Sequence, residues 1–140
     1  MILFDTDHIN VLHFPSAQFR ELSVNMMISV DQEFATSAIT LEEQLRGWLA
    51  SIHGTPDVDR QLTPYRRLVE LVQFFGSWPI IHFDQAAADE FKRLRKQGIR
   101  IGTMDLKIAA IALTHDATLI SANLRDFEKV PNLRVENWLV

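Results

Sequence analysis

Asp5, Glu43, Asp105 and Asp126 are the residues in this sequence best placed to do chemistry. Each stands beside an apolar run, with no Gly-rich loop and no cluster of His next to it. Asp5 closes Ile2-Leu3-Phe4, which reads as a short buried strand entering a sharp turn at Asp5-Thr6-Asp7. Glu43 follows the run Phe34 to Ile39 and opens the helical pattern Leu41, Leu45, Trp48, Leu49, Ile52. With Thr40 as N-cap, it falls in that helix's first turn. Asp105 precedes Leu106, Ile108, Ala109, Ala112 and Leu113, so Thr103 is the expected cap and Asp105 another first-turn residue. Asp126 lies in the polar stretch after the strand-like run Ala117-Thr118-Leu119-Ile120.

Open α/β sheets bind ligands outside the carboxyl ends of their strands, and first-turn helix residues reach the same edge. The four carboxylates can therefore converge. Oxygen-only donors suit the hard ions Mg²⁺ and Mn²⁺, which keep several waters and need no imidazole. Without a cation such a cluster repels itself.

The elements that must position these acids alternate between strand and helix patterns, the mark of an α/β domain with a mostly parallel sheet. After Asp5 the sequence predicts short helices near His8 to His13 and Ser16 to Met27, then a strand from Phe34 to Ile39 and the Glu43 helix, ending near Gly54. A longer helix runs from Asp57 or Leu62 to Phe75, with Leu62, Tyr65, Leu68, Val69, Val72 and Phe75 on one face as core or subunit contact. Next come a strand at Pro79 to Phe83, a helix capped by Asp84 and closed by Gly98, the Asp105 helix and its strand. A last strand at Leu133 to Val135 and an apolar tail, Trp138-Leu139-Val140, complete the chain.

Composition bounds the function. At 140 residues and 47% hydrophobic, the chain is expected to form one domain, residues 1–140. No run approaches the roughly 20 apolar residues of a membrane span, and Met1 to Phe4 meets Asp5 without a basic leader or cleavage site, so a cytoplasmic address and no membrane partner are expected. Zero Cys excludes disulfide scaffolds, Cys-ligated zinc, iron-sulfur clusters and thiol nucleophiles. A net charge of -4 argues against holding nucleic acid by global electrostatics. Lys92, Arg93, Arg95, Lys96 and Arg100 nonetheless crowd one helix and its exit. A solvated helix face is the plainer reading of that cluster.

The stretches Ile2 to Asp7, Thr40 to Gly47, Ile101 to Ala110 and Leu119 to Phe127 resemble the four signature blocks of PIN-domain proteins, in order and spacing and over essentially the whole chain. Within that family, the compact length and the ending Leu133-Arg134-Val135-Glu136-Asn137-Trp138 are most similar to VapC-type toxins of bacterial toxin-antitoxin pairs. The resemblance implies a three-layer α/β/α sandwich on a five-stranded, mostly parallel sheet. It also implies a Mg²⁺- or Mn²⁺-dependent endoribonuclease that cleaves a structured cellular RNA with activated water. A small cognate antitoxin and a homodimer mate are the implied partners. Asp5, Glu43 and Asp105 match the core acidic positions and Asp126 the more variable fourth. Asp5 and Asp105 are the implied direct metal ligands, Glu43 binds a second ion or orients the water, and Asp126 completes the cage. Thr6, Ser121 and Asn123 match the supporting polar positions. Two departures are mild: Asp7 stands where Asn or Ser is frequent, and Ser121 where Thr is usual. Asp7 adds a ligand or caps the first helix.

Each acid also has a purely structural explanation. Thr40-x-x-Glu43 has the form of a capping box, worth about 1 kcal/mol. Asp105 complements a helix dipole, Asp5-Thr6-Asp7 forms an Asx turn, and Asn123 to Asp126 an ordinary polar turn. Four acids at one sheet edge, with matching flanks, favour the site. Two rival functions remain. One is a catalytically silent PIN-like binding module. The other is an aspartate-nucleophile phosphatase with Asp5 as nucleophile and Asp7 as acid, a reading weakened by Ile9 where Thr or Val is needed and by Ser121-Ala122-Asn123 where an acidic pair is needed.

Overall fold

The computed structural model describes residues 1–140. Its centre is a five-stranded sheet with every pair parallel: β1 (Ile2–Phe4), β2 (Phe34–Ser37), β3 (Ile80–Ile81), β4 (Thr118–Ile120) and β5 (Arg134–Glu136), in the order β3-β2-β1-β4-β5. The central strand is the first in sequence: Leu3 lies opposite both Ala35 and Leu119. The chain leaves β1 toward β2 and returns on the other side at β4. The crevice at the carboxyl ends of β1 and β4 is thus the topological switch point of the sheet, where open α/β sheets hold their ligands.

Side chains alternate across a strand, so β1 divides the core in two. Ile2 and Phe4 join a cluster with Ile9 and Val11 of α1 (Thr6–His13), Leu22 of α2 (Phe19–Ile28), and Leu71 and Phe75 of α4 (Leu62–Phe75). Leu3 joins Ala35 and Leu119 on the opposite face, under Ala87 and Leu94 of α5 (Gln85–Lys96) and, on α6 (Thr103–Thr114), Leu106 and the buried run Ile108 to Ala112. Between these layers, α3 (Ala38–His53) follows β2 and the short α7 (Leu124–Phe127) follows β4. The α/β/α sandwich and five-stranded sheet implied by the sequence are present.

Several boundaries differ from expectation, for local reasons. β2 ends at Ser37, and this extended residue (φ -115°, ψ 158°) is itself the N-cap of α3, its hydroxyl accepting from Thr40 N at 3.1 Å. Thr40 is a buried helical residue rather than the cap, and Glu43 sits in the second turn rather than the first. Ser37 and Thr40 are both good caps, and β-branched Ile39 and Thr40 read as strand. In α6 the N-cap is Gly102, with Thr103 the first helical residue, while Asp105 keeps its first-turn place. There is no sharp turn after β1, since Asp5 caps a helix that begins at Thr6. The 58–61 segment is a 3-10 turn leading into α4. On α4 the buried residues are Pro64, Leu71 and Phe75, whereas Leu62, Tyr65, Val69 and Val72 are exposed. Asp84 caps α5 through Ala87 N at 3.0 Å, and Gly98 ends it at φ +81°, where glycine alone is unstrained.

Candidate active site

Two strand-to-helix junctions without intervening loops build the floor of the crevice. At the first, Asp5 receives two hydrogen bonds: Thr6 N donates to Oδ1 at 2.7 Å and Ser121 Oγ to Oδ2 at 2.8 Å. Its own N–H donates to the Ile120 carbonyl at 2.9 Å, so the ladder between β1 and β4 fixes the backbone. Asp5 and Ser121 are buried. Burial pushes the Asp5 carboxyl above its ordinary value, outweighing the bonds from Thr6 and Ser121 that favour the charged form, and Asp7 adds like charge.

At the second junction Ser37 starts α3 and sets the helix phase that brings Glu43 round to the crevice. Thr6 Oγ1 donates to Glu43 Oε2 at 2.8 Å. The Glu43 carboxyl is raised, first by desolvation, with the charge of Asp5 adding to it. Beside Glu43 opens a cleft of about 410 Å³ walled by Asn10, Phe14, Gln44 and Trp48.

Asp105 comes from the opposite layer. Burial, then the negative charges of Asp5 and Glu43, push it up to about 6, with a smaller contribution from Asp126. Asn123 Nδ2 donates to Asp105 Oδ2 and to Asp126 Oδ2, both at 3.1 Å, while its backbone N donates to Ser121 Oγ at 3.0 Å. One amide group therefore spans two carboxylates and is itself held by the serine that holds Asp5. Asp126 is lowered by the Asn123 bond and by Lys129, whose Nζ stands 3.5 Å from Asp126 Oδ1. Sequence reasoning misses Lys129, although its i,i+3 spacing from Asp126 is the signal that finds it once α7 is known.

The fold thus gathers Asp5, Glu43, Asp105 and Asp126, with Thr6, Ser121 and Asn123 among them. Asp7 is an exposed first-turn residue whose charge reaches Asp5, and Asp5, not Asp7, caps α1. As the side chains stand, no three His, Asp or Glu residues close on a common ion. The donor set still fits a hard divalent cation: its carboxylates come from separate elements, Glu43 and Asp105 are each raised by burial and further by the charge of Asp5, and neither thiolate nor imidazole is among them. No helix of the chain is long and apolar enough to cross a membrane.

Comparison with known proteins gives a consistent result. A family model described as the PIN domain matches residues 2–133. The chain is 42% identical over 104 residues to Ribonuclease VapC1 of Haemophilus influenzae (strain R2866), spanning 73% of this chain and 72% of that one. It is 28% identical over 106 residues to the tRNA(fMet)-specific endonuclease VapC of Salmonella typhimurium, spanning 73% of each. Its fold matches chains in two solved complexes at 25% identity. VapBC2 from Rickettsia felis, bound to a DNA fragment from its promoter, gives a TM-score of 0.70 over 99% of both chains. DNA-bound VapBC from Salmonella typhimurium gives 0.73 over 98% of this chain and 97% of that one.

Proposed function

This chain belongs to the PIN-domain family, and from that premise we propose that it is a divalent-metal-dependent endoribonuclease, the toxin of a toxin-antitoxin pair, acting on a structured cellular RNA. One observation carries the reading: carboxylates at the end of β1, on α3 and on α6 lie near enough that the charges of Asp5 and Glu43 add to burial in raising Asp105 to about 6. Such repulsion is costly in a site that holds no cation and useful in one that does.

Asp5 and Asp105 are the direct ligands in this proposal, with Glu43 and Asp126 completing the cage. Bound there, Mg²⁺ or Mn²⁺ supplies an activated water and neutralises charge at the phosphodiester. Thr6, Ser121 and Asn123 fix the carboxylate rotamers, so that the oxygens are held in place before the ion arrives. Attack by the substrate's own 2'-hydroxyl needs a positioned base and acid. His8 is buried with Nε2 accepting from Trp138 N, and His13 stacks on Phe74, so neither serves that role. Water as nucleophile leaves a 5'-phosphate and a 3'-hydroxyl.

The partners are a homodimer mate and a small antitoxin. The exposed stripe Leu62, Tyr65, Val69 and Val72 on α4, with Met27, Ile28 and Val30 at the end of α2, offers apolar surface that a monomer leaves in water. The VapBC complexes among the structural relatives support the antitoxin partner.

A catalytically silent binding module is the second reading, favoured by the absence of a closed ligand cage as the side chains stand. End-group analysis of RNA cut by the purified chain separates the possibilities. The proposal expects cleavage that EDTA abolishes, with 5'-phosphate and 3'-hydroxyl ends. A 2',3'-cyclic phosphate overturns the water mechanism, and no cleavage with any divalent cation favours the silent module.

A further inference from the structure

A second concave surface adjoins the acidic crevice without belonging to it. It is a groove of about 650 Å³ at α5 and α6, lined by Phe83, Phe91, Lys92, Arg95, Lys96 and Lys107 together with Ala88. Lys92, Arg95 and Lys96 share one helix face by their i,i+3 and i,i+4 spacing. No acidic side chain lines the groove.

The pairing of charges sets this groove apart from an ordinary solvated helix face. Arg46, Arg60, Arg66, Arg67, Arg93, Lys129 and Arg134 each form an ion pair with a carboxylate. None of the four groove cations does, and although Arg20, Arg100 and Arg125 are also unpaired, none of those three lines this groove. The contrast holds within α5 itself, where Arg93 is committed to Glu90 while its neighbours Lys92, Arg95 and Lys96 are not. Four cations without counter-charge, in a chain of net charge -4, are complementary to a polyanion.

The aromatic rings organise these cations. The Arg95 guanidinium lies 4.8 Å from the Phe91 centroid and the Lys107 ammonium 5.7 Å from that of Phe83. Arg95 Nη2 also donates to Thr103 Oγ1 at 3.3 Å, at the start of the helix that carries Asp105. Phe83 follows β3 at the same carboxyl end of the sheet. Lys107 is two residues beyond Asp105 and so faces the other side of α6, about one helix diameter (~10 Å) across. Thr103, two residues before Asp105, is the point where the groove, through Arg95, meets the helix that carries the acid.

We propose that this groove is a substrate subsite that holds single-stranded RNA flanking the scissile phosphodiester. Backbone phosphates sit on Lys92, Arg95, Lys96 and Lys107, and an unstacked base lies against the Arg95 and Phe91 stack. The RNA meets these side chains through its backbone and the π-face of its base, so the subsite sets register and affinity rather than sequence choice. This inference rests on the endoribonuclease reading.

The test uses the whole chain and a fluorescent single-stranded oligoribonucleotide. Affinity is measured across a salt series in EDTA, and cleavage kinetics of the same oligonucleotide with Mg²⁺. Wild type is compared with Lys92→Gln/Lys96→Gln, Arg95→Gln, Lys107→Gln, the charge-keeping Lys96→Arg, and Arg60→Gln, which removes an ion-paired cation outside the groove. The slope of log affinity against log salt should fall by about 0.7 for each phosphate that the variant no longer neutralises. KM should rise with kcat little changed, while Lys96→Arg and Arg60→Gln should behave as wild type. Groove variants with wild-type slope and KM in a chain that cuts RNA overturn the subsite alone. Groove-dependent binding by a wild type that never cuts overturns the nuclease reading and leaves the groove as an RNA-binding surface only. Absence of salt-dependent RNA binding by the wild type overturns the subsite outright.

Discussion

The Thr6 hydroxyl donates to Glu43 Oε2 at 2.8 Å, joining the first residue of α1 to the sixth of α3. Because the α3 cap is Ser37, Glu43 bonds no backbone N–H at the helix start and is free to serve the crevice.

Glu43→Gln should therefore unfold within about 1 kcal/mol of wild type in urea, since Gln still accepts from Thr6, yet lose most RNA cleavage because an amide is a poor ligand for a hard cation. Ser37→Ala should show the converse balance, losing about 1 kcal/mol of stability as the cap disappears. Full activity in Glu43→Gln would remove that residue from the catalytic set.

Asp105→Asn and Asp5→Asn should each abolish divalent-dependent cleavage while leaving the metal-free fold as stable as wild type or slightly more so. In Asp105→Asn the new amide oxygen still accepts from Asn123, and in Asp5→Asn it still accepts from Thr6 N, so the hydrogen bonds largely survive while one repelling charge is removed. Calorimetry in EDTA beside cleavage assays in Mg²⁺ reads both effects. Loss of folding in Asp105→Asn would show that its charge is structural.

Asp105 also sets a pH dependence. Its folded value is pushed up to about 6 from an ordinary 3.8, so between these values the folded chain holds a proton that the unfolded chain has released. Its contribution to stability is present below pH 3.8 and lost as pH rises through 6. Proton and cation compete for this carboxylate, so the Mg²⁺ concentration needed for half-maximal cleavage should rise as pH falls through the same region. In EDTA, the stability difference between wild type and Asp105→Asn should change across that window and flatten above it. A difference independent of pH would contradict the raised value.

His8 contributes with the opposite sign. It is buried, Nε2 accepts from Trp138 N at 3.0 Å, and Nδ1 has no partner. Burial lowers it to about 4 from 6.5, so its contribution is present above pH 6.5 and lost as pH falls through 4, a change of roughly 3 kcal/mol. His8→Phe should remove this acid sensitivity from urea unfolding curves. It should also cost about 1–3 kcal/mol at pH 7, because the Trp138 N–H is left without its acceptor. An unchanged acid slope in His8→Phe would mean that protonation of His8 does not drive the loss.

Much of this molecule is legible along the chain. The apolar runs before Asp5 and Asp126 and the first-turn place of Asp105 depend on neighbours within a few residues, as do the Asp84 cap and Gly98 stop of α5, and all four acids fall at one sheet end once strand and helix alternate. The sequence by itself therefore determined the sandwich, the parallel sheet and the acids that line its edge. Tertiary structure decided what depends on residues far apart. Ser37 and Thr40 are equivalent caps in sequence, and only the docking of α3 buries Thr40 and fixes which one starts the helix. Periodicity puts Leu62, Tyr65, Leu68, Val69, Val72 and Phe75 on one face, yet the packing of α4 divides them, burying Phe75 with Leu71 and leaving Leu62, Tyr65, Val69 and Val72 exposed. That Asn123 spans Asp105 and Asp126, that His8 meets Trp138, and that four α5 and α6 cations have no carboxylate within reach are likewise facts of packing. Local propensity acts along the chain and sets what each segment becomes, whereas atoms meet across the fold only after burial has chosen which face of each element turns inward.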